Sequence, residues 1–346
     1  MSLFLNLHIS KNNSNFATDL TMKRFLHIFV SFCISLQILA QQKEPLLLTW
    51  GTTEVSDSLK KTNPERLAYP DELADQVPEL FCISKLLFRV SDTCQVLFAP
   101  GNLQYNAVQG THRCADGSTA NGSWRFAPNQ WECIGSANGN ISSSYDGWID
   151  LFAWGSSGYD NIPPYSNKLN AKIPFPGEHK NIAGTNYDWG VWCGIGTDAP
   201  GTWRTLTREE WDYLFKSREN ARQLYAYGSI EGMNGLIVLP DEWEQPADVS
   251  FGLNYSNSYT ETEWRKMEAA GAVFLPYAGS RYFNGNYNLV ERVGSYGNYW
   301  TASCTNRSGY EDYSMQLMLP GPGCGVGPRG MGNSVRLVQT KRIIKP

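Results

Sequence analysis

The chain has 346 residues, 42% of them hydrophobic, which is enough apolar material for one large domain or two smaller ones. Its formal net charge is -4 and its lysines and arginines are scattered, so no basic face argues for nucleic acid or anionic lipid as a partner. Aromatic residues make up 13% of the chain and recur among Gly, Asn and Ser, a composition typical of extracellular binding surfaces, although core packing also explains most of them.

The N-terminal segment has the features of an export signal. Met22, Lys23 and Arg24 form a basic start, residues 25–38 are apolar, and Ala40 is a small residue at the expected cleavage point. We therefore predict a signal peptide over residues 1–40, with Met22 as the true start.

Two further features of the sequence indicate where in the cell the protein is located. Bulky Phe32 precedes Cys33 where a lipidation signal needs a small residue, so we do not predict a lipoprotein. No other segment approaches about 20 apolar residues, so no transmembrane segment is predicted. We expect an exported protein, either secreted or held at the cell surface or in the periplasm.

Seven cysteines remain after the signal is removed, namely Cys82, Cys94, Cys114, Cys133, Cys193, Cys304 and Cys324. An odd number leaves at least one thiol unpaired in a compartment that permits disulfides. Cys114 with Cys133 is one candidate pair, which spacing alone does not settle. No Cys-x-x-Cys occurs and only His112 and His179 follow the signal, so a zinc site is not predicted.

Composition divides the rest of the chain into an arm and a domain. The segment after the signal contains Asn63-Pro64, Tyr69-Pro70 and Val77-Pro78 and few consecutive apolar residues. We interpret residues 41–87 as an N-terminal arm or linker, residues 88–339 as one folded domain, and residues 340–346 as a short tail.

One amphipathic helix has a complete start signal after residue 206. Thr207 is the predicted N-cap, and Glu210, three residues on, can return a hydrogen bond to it. Leu206 and Trp211 are spaced as a hydrophobic staple, so Trp211 is predicted to pack in the core.

A second helix repeats this pattern. Thr260 and Glu263 form its capping box, Tyr259 precedes the cap, and Gly271 can end the helix. Trp264 is therefore predicted to be a core residue as well.

Short runs bounded by Gly or Pro predict strands. They are residues 236–239, 272–275, 297–303, 313–319 and 334–339. Two helices with a strand-rich remainder predict an α+β fold.

Two segments between these strands lack apolar periodicity, residues 304–310 and 319–330. The second is so rich in Gly and Pro that neither helix nor strand is expected to persist there. Long loops held by strands commonly carry binding residues. The candidate ligand contacts are Cys304, Thr305, Asn306, Arg307, Tyr310, Leu319, Pro322, Cys324, Val326, Pro328 and Arg329.

Seven ordered motifs resemble the C-type-lectin-like domain of a large family of secreted Bacteroidetes proteins. They are FAPGNLQY (98–105), WRFA (124–127), WIDLFAWG (148–155), WRTLT (203–207), AGAVFLP (270–276), GNYW (297–300) and SVRLV (334–338). That family is similar in fold to formylglycine-generating enzymes and to fibrobacter major paralogous domains. The resemblance implies a C-type-lectin-like fold over residues 88–339, with two amphipathic helices, antiparallel sheets and long irregular loops.

Some members of that family are the variable proteins of diversity-generating retroelements. The resemblance implies that a C-terminal segment is rewritten at template adenines, which turns Asn codons into codons that cannot encode Met, Trp, Gln, Lys or Glu. Residues 304–310 and 319–330 contain none of these five. An ordinary loop in a non-diversified paralogue is the open alternative. Our interpretation is a receptor- or adhesin-like protein that binds a protein or glycan at a cell surface.

Two other functions compete with binding. The formylglycine-generating relatives use closely spaced cysteines as copper ligands, and Cys304 and Cys324 lie in the corresponding third of the chain, with Arg307 and Arg329 as cationic neighbours. A structural surface protein without a fixed ligand is the other alternative. Calcium-binding triplets of lectins do not occur, and the nearest approach is residues 244–248. We expect no catalysis, metal or cofactor.

Overall fold

The computed structural model describes residues 86–168, 181–254, 257–283, 287–305 and 313–342. These residues belong to the compact unit Asp71–Pro346 and form an α+β fold of several small, mainly antiparallel sheets, as predicted for the fold class. The signal peptide at 1–40, the start at Met22 and the arm up to residue 85 lie outside the described residues, as do Cys82 and His179.

The first sheet joins the beginning and the end of the domain. Its strands are β1 (Phe88–Ser91), β2 (Cys94–Phe98), β6 (Arg204–Thr205) and β16 (Leu337–Arg342), in the order β1-β2-β16-β6. Thr340, Lys341 and Arg342 pair with β2. The ordered domain therefore extends beyond Gln339, where the sequence placed its end.

Two further sheets are formed by strands between residues 103 and 276. One has the order β4-β3-β5, with β3 (Leu103–Arg113), β4 (Thr119–Phe126) and β5 (Trp148–Ile149). The other has the order β10-β8-β7-β9, with β7 (Tyr225–Ile230), β8 (Met233–Val238), β9 (Asn257–Tyr259) and β10 (Val273–Pro276). The predicted strands at 236–239 and 272–275 correspond to β8 and β10.

The C-terminal third forms a two-stranded and a three-stranded sheet. Strands β11 (Ser280–Phe283) and β12 (Asn288–Glu291) form the first. Strands β13 (Gly297–Cys304), β14 (Tyr313–Leu319) and β15 (Gly323–Pro328) form the second in sequence order. The strands predicted at 297–303 and 313–319 are confirmed. The strand predicted at 334–339 begins only at Leu337, because Ser334 forms an isolated bridge with Tyr299 instead.

The described helices are short. They are α1 (Trp189–Trp192), α2 (Arg208–Asp212), which continues as a π-helical turn (Tyr213–Ser217), and α3 (Glu261–Ala269). Short 3-10 helices span Gly135–Asn140, Tyr159–Asn161 and Ala221–Gln223. Among the described residues no helix is both long and apolar enough to cross a membrane.

Both predicted capping boxes are confirmed. The Thr207 hydroxyl accepts the backbone N–H of Glu210, and Glu210 accepts the backbone N–H of Thr207 at 2.8 Å. Thr260 and Glu263 repeat this exchange at the start of α3. Gly271 follows α3 with a φ of 95°, a left-handed conformation that favours glycine.

Three hydrophobic clusters form the core. Trp211 packs with Leu206 in one cluster and Trp264 packs with Phe274 in another, so both tryptophans are core residues as predicted. The third cluster contains Trp154 and Trp300, whose indole nitrogens donate to backbone carbonyls. These rings fix the positions of the strands that carry the candidate site.

Candidate functional site

The Gly- and Pro-rich segment at 319–330 contains a strand, so the prediction of irregular structure there is wrong for β15. Its residues alternate between glycine and larger side chains, and the glycines lie against β14 side chains. A Cβ at Gly325 would lie 2.7 Å from the methyl carbon of Met318, and one at Gly327 would lie 2.6 Å from Oε1 of Gln316. The glycines therefore make room for the neighbouring strand.

Four candidate ligand contacts are buried, which contradicts the expectation that these segments display them. Leu319 and Arg329 are 0% and 1% exposed, and Thr305 and Cys304 are 7% and 8% exposed. Leu319 packs in a core cluster. The Arg329 guanidinium lies 4.7 Å from the centre of the Trp154 ring and donates to the Cys304 sulfur at 3.0 Å.

The remaining candidates divide into two groups. Pro322, Cys324, Val326 and Pro328 are half-buried along β15 and the turn before it. Cys324 packs against a core cluster, and burial raises the pKa of its thiol to about 12. Asn306, Arg307 and Tyr310 lie outside the described residues.

A cleft of about 410 Å³ opens where β15 ends. Among the candidate contacts that the structure describes, only Pro328 lines it. Gly330 and Met331 follow it closely in the chain, and the lining residues from distant segments are Asn167, Lys168, Tyr282 and Phe283. The part of the lining that the structure describes thus combines aromatic and aliphatic side chains with one lysine.

Arg281 forms hydrogen bonds that connect the segments lining this cleft. Its backbone exchanges two 2.8 Å hydrogen bonds with Gly332, and its guanidinium donates to the carbonyl oxygens of Ser166 and Leu151 at 3.1 and 3.0 Å. Arg281, Gly332 and Ser166 are each adjacent in sequence to a lining residue. Burial lowers the pKa of Arg281 to about 10, which leaves the side chain charged at neutral pH.

Strands β11 and β12 and the residues after them carry exposed apolar side chains. Most of the exposed large apolar side chains among the described residues fall within residues 283–296. They are Phe283 (52% exposed), Tyr287 (57%), Leu289 (38%), Val293 (39%) and Tyr296 (44%). Clustered exposed apolar groups mark interaction surfaces in many proteins.

None of the ligand contacts predicted from the sequence lies in this β11–β12 region. A local signal was present, because residues 284–285 are Asn-Gly, a frequent hairpin turn, between aromatic residues. Its exposure and its proximity to β15 could not be read from local sequence, because both depend on long-range packing.

Cys304 and Cys324 do not form a shared metal site. Cys304 pairs with Ser314 of β14, which pairs in turn with Gly327 of β15, three residues beyond Cys324. Strand spacing and rise place the two Cα atoms about 14 Å apart. Metal–thiolate bonds are about 2.3 Å long, so these two cysteines do not fit the copper pair of the formylglycine-generating relatives.

No family model, curated protein or solved structure matches this chain. Within the described ranges there is also no group of three or more His, Cys, Asp and Glu side chains that could hold a metal ion.

Proposed function

We propose that the chain is an exported, receptor- or adhesin-like binding protein with a C-type-lectin-like domain. Its recognition surface comprises the cleft at the end of β15 together with the exposed apolar side chains of residues 283–296. The observation that carries this proposal is that exposed Phe283 lines the cleft, while exposed Leu289 lies opposite Tyr282, another lining residue, in the β11–β12 pair. Large exposed apolar groups are costly in water unless a partner covers them.

The chemistry of the surface favours a protein ligand over a glycan. Tyr282 and Phe283 supply aromatic contact area in the cleft, and Leu289, which lies opposite Tyr282, adds aliphatic area nearby. Protein interfaces are enriched in aromatic residues and Met at their centres. Lys168 adds a positive charge at the cleft, which suits an acidic group on the ligand.

Diversification of residues 304–310 and 319–330 would alter this surface. Pro328 and Gly330 belong to the second segment and line the cleft, so changes there would reshape its wall. The flanking DNA tests this part of the proposal. A template repeat and a reverse transcriptase gene would support diversification, and their absence near the gene would favour an ordinary paralogue.

A cysteine-dependent oxidase is the second candidate function. It is favoured by one contact, the hydrogen bond that the Arg329 guanidinium donates to the Cys304 sulfur at 3.0 Å. Such an enzyme could not use Cys304 and Cys324 as a joint metal site, given their separation along the sheet. Oxidation of a cysteine peptide that disappears in Cys304→Ser would favour this alternative.

A binding experiment tests the main proposal. The purified protein is screened against arrays of cell-surface protein ectodomains and of glycans, and the ligand found is titrated against variants. Phe283→Ala and Leu289→Ser should each raise the dissociation constant at least about tenfold, as expected for anchor residues.

Leu253→Ser is the matched control, because Leu253 is 57% exposed but lies outside residues 283–296. It should bind like the wild type. Equal losses in all three variants would place the recognition surface elsewhere. Failure to bind either array would favour a structural surface protein without a fixed ligand.

A further inference from the structure

Two cysteines that are distant in sequence face each other directly. Cys114 follows β3 and Cys193 follows α1, and the two residues form an isolated antiparallel bridge. The flanking residues exchange two backbone hydrogen bonds of 2.9 Å, donated by Gly194 to Arg113 and by Ala115 to Trp192. This pattern identifies the cysteines as a non-hydrogen-bonded pair, the arrangement in which opposing Cα atoms approach to about 4.5 Å.

We propose that Cys114 and Cys193 form a disulfide bond. Disulfides need Cα atoms about 4.4–6.8 Å apart and Cβ atoms about 3.5–4.5 Å apart. A non-hydrogen-bonded pair meets the Cα condition. Its Cβ atoms, about 4.5–5.5 Å apart, need to approach each other by only about 1 Å to meet the Cβ condition. Both thiols are unbonded in this structure, so closing the bond requires their side chains to rotate toward each other.

The other strand cysteines among the described residues face different residue types. Cys94 lies opposite Ser91 and Arg342, Cys304 lies opposite Ser314, and Cys324 lies opposite Leu317. The bridge therefore selects Cys193 as the partner of Cys114, in place of the Cys114–Cys133 pair that sequence spacing had left open.

The environment of the thiols determines when the bond can form. Cys114 and Cys193 are 4% and 0% exposed, and the Cys193 thiol donates to the backbone oxygen of Ser157 at 3.0 Å. Burial raises the pKa of Cys114, and it raises that of Cys193 well above its ordinary value. Thiolates are therefore scarce in the folded chain, so the bond forms during folding, before both sulfurs are buried.

The reaction is a thiol–disulfide exchange with a disulfide oxidant, either an oxidised thiol oxidoreductase or glutathione disulfide. One cysteine thiolate attacks the oxidant to give a mixed disulfide, and the second cysteine displaces the remaining thiol. The S–S bond of the oxidant breaks as the Cys114–Cys193 bond forms. The oxidant takes up the two electrons and the two protons that the cysteines lose and leaves as two thiols.

The bond would connect β3 to α1 and close a loop over residues 114–193. A cross-link between residues so far apart restricts the unfolded chain strongly and stabilises the folded one. Cys114 and Trp192 also line a second cleft, of about 480 Å³, so the bond would fix part of its wall.

Peptide mapping tests the bond directly on the wild-type full-length chain. The unfolded protein is refolded with a mixture of reduced and oxidised glutathione, alkylated without reduction, and digested with trypsin. Cleavage after Arg113, Arg125, Lys180 and Arg204 gives peptides 114–125 and 181–204, which contain one cysteine each. We expect a linked peptide two hydrogen atoms lighter than the sum of the two, which separates on reduction.

Alkylation of both peptides before reduction would overturn the proposal, and so would a link from peptide 114–125 to peptide 126–168, which contains Cys133. Thermal melts give an independent readout. Reduction should lower the wild-type midpoint by about 5–15 °C. Cys133→Ser, the matched control, should keep this shift, whereas Cys114→Ser should lose it. An equal shift in Cys114→Ser and the wild type would contradict the bond.

Discussion

Asp188 is a buried carboxyl group that accepts both of the hydrogen bonds Thr205 can donate. The Thr205 hydroxyl donates at 2.7 Å and its backbone N–H at 3.0 Å. Burial raises the pKa of Asp188 from 3.8 to about 6, although the hydrogen bonds from Thr205 oppose that rise. The folded chain therefore holds the Asp188 proton more tightly than the unfolded chain does.

This shift predicts how stability depends on pH. Because the folded-state pKa is raised, the stabilising contribution of Asp188 is present at low pH and is lost as the pH rises through about 6. When the pH falls from 7 to 4.5, the free energy of unfolding of the wild type should rise by about 2 kcal/mol more than that of Asp188→Asn. Urea unfolding of both proteins at both pH values measures this difference. Asp150 is also buried and its pKa is also raised to about 6, so the free energy of unfolding of the variant should still rise somewhat over this pH range. Equal gains in the two proteins would contradict the prediction.

At the scale of secondary structure, β15 depends on its alternating glycines. A Cβ at Gly327 would press on Gln316, which is buried and accepts the Asn333 amide at 2.6 Å. The nearest atom to a Cβ at Gly323 is 3.7 Å away, an ordinary contact. We predict that Gly327→Ala lowers the free energy of unfolding by about 1–3 kcal/mol, and that Gly323→Ala changes it by less than about 0.5 kcal/mol.

Chemical denaturation of both variants provides the measurement. Two unchanged midpoints would indicate that residues 323–328 form the irregular loop expected from their composition. A loss for Gly327→Ala alone would support the packing of β15 on β14.

The same elements show what local sequence can and cannot predict. The capping boxes at Thr207 and Thr260 are correctly predicted because each involves residues three positions apart. The strand β15 is missed because its glycines are explained by Met318 and Gln316 on another strand. The cleft is missed for a related reason, since its walls come from three separate segments that Arg281 joins.

At the scale of the whole molecule, the domain is closed by pairing its first strands with its last. Thr340, Lys341 and Arg342 continue the ladder of β16 along β2. The Thr340 hydroxyl also accepts a 2.6 Å hydrogen bond from Arg204, which pairs with Glu210 in the capping box of α2. The end of the chain thus supports both the first sheet and the start of a helix.

Two truncated chains test this closure. A chain that ends at Gln339 loses three ladder residues and the Thr340 contact, so it should lose about 1–3 kcal/mol of stability in urea unfolding. A chain that ends at Arg342 keeps these contacts and should unfold like the full-length protein, which makes it the control. Ligand affinity should stay unchanged in both, because the proposed recognition surface lies in other segments. If the chain ending at Gln339 were as stable as the control, the domain would end where its sequence motifs end, and the outer half of β16 would contribute nothing to closure.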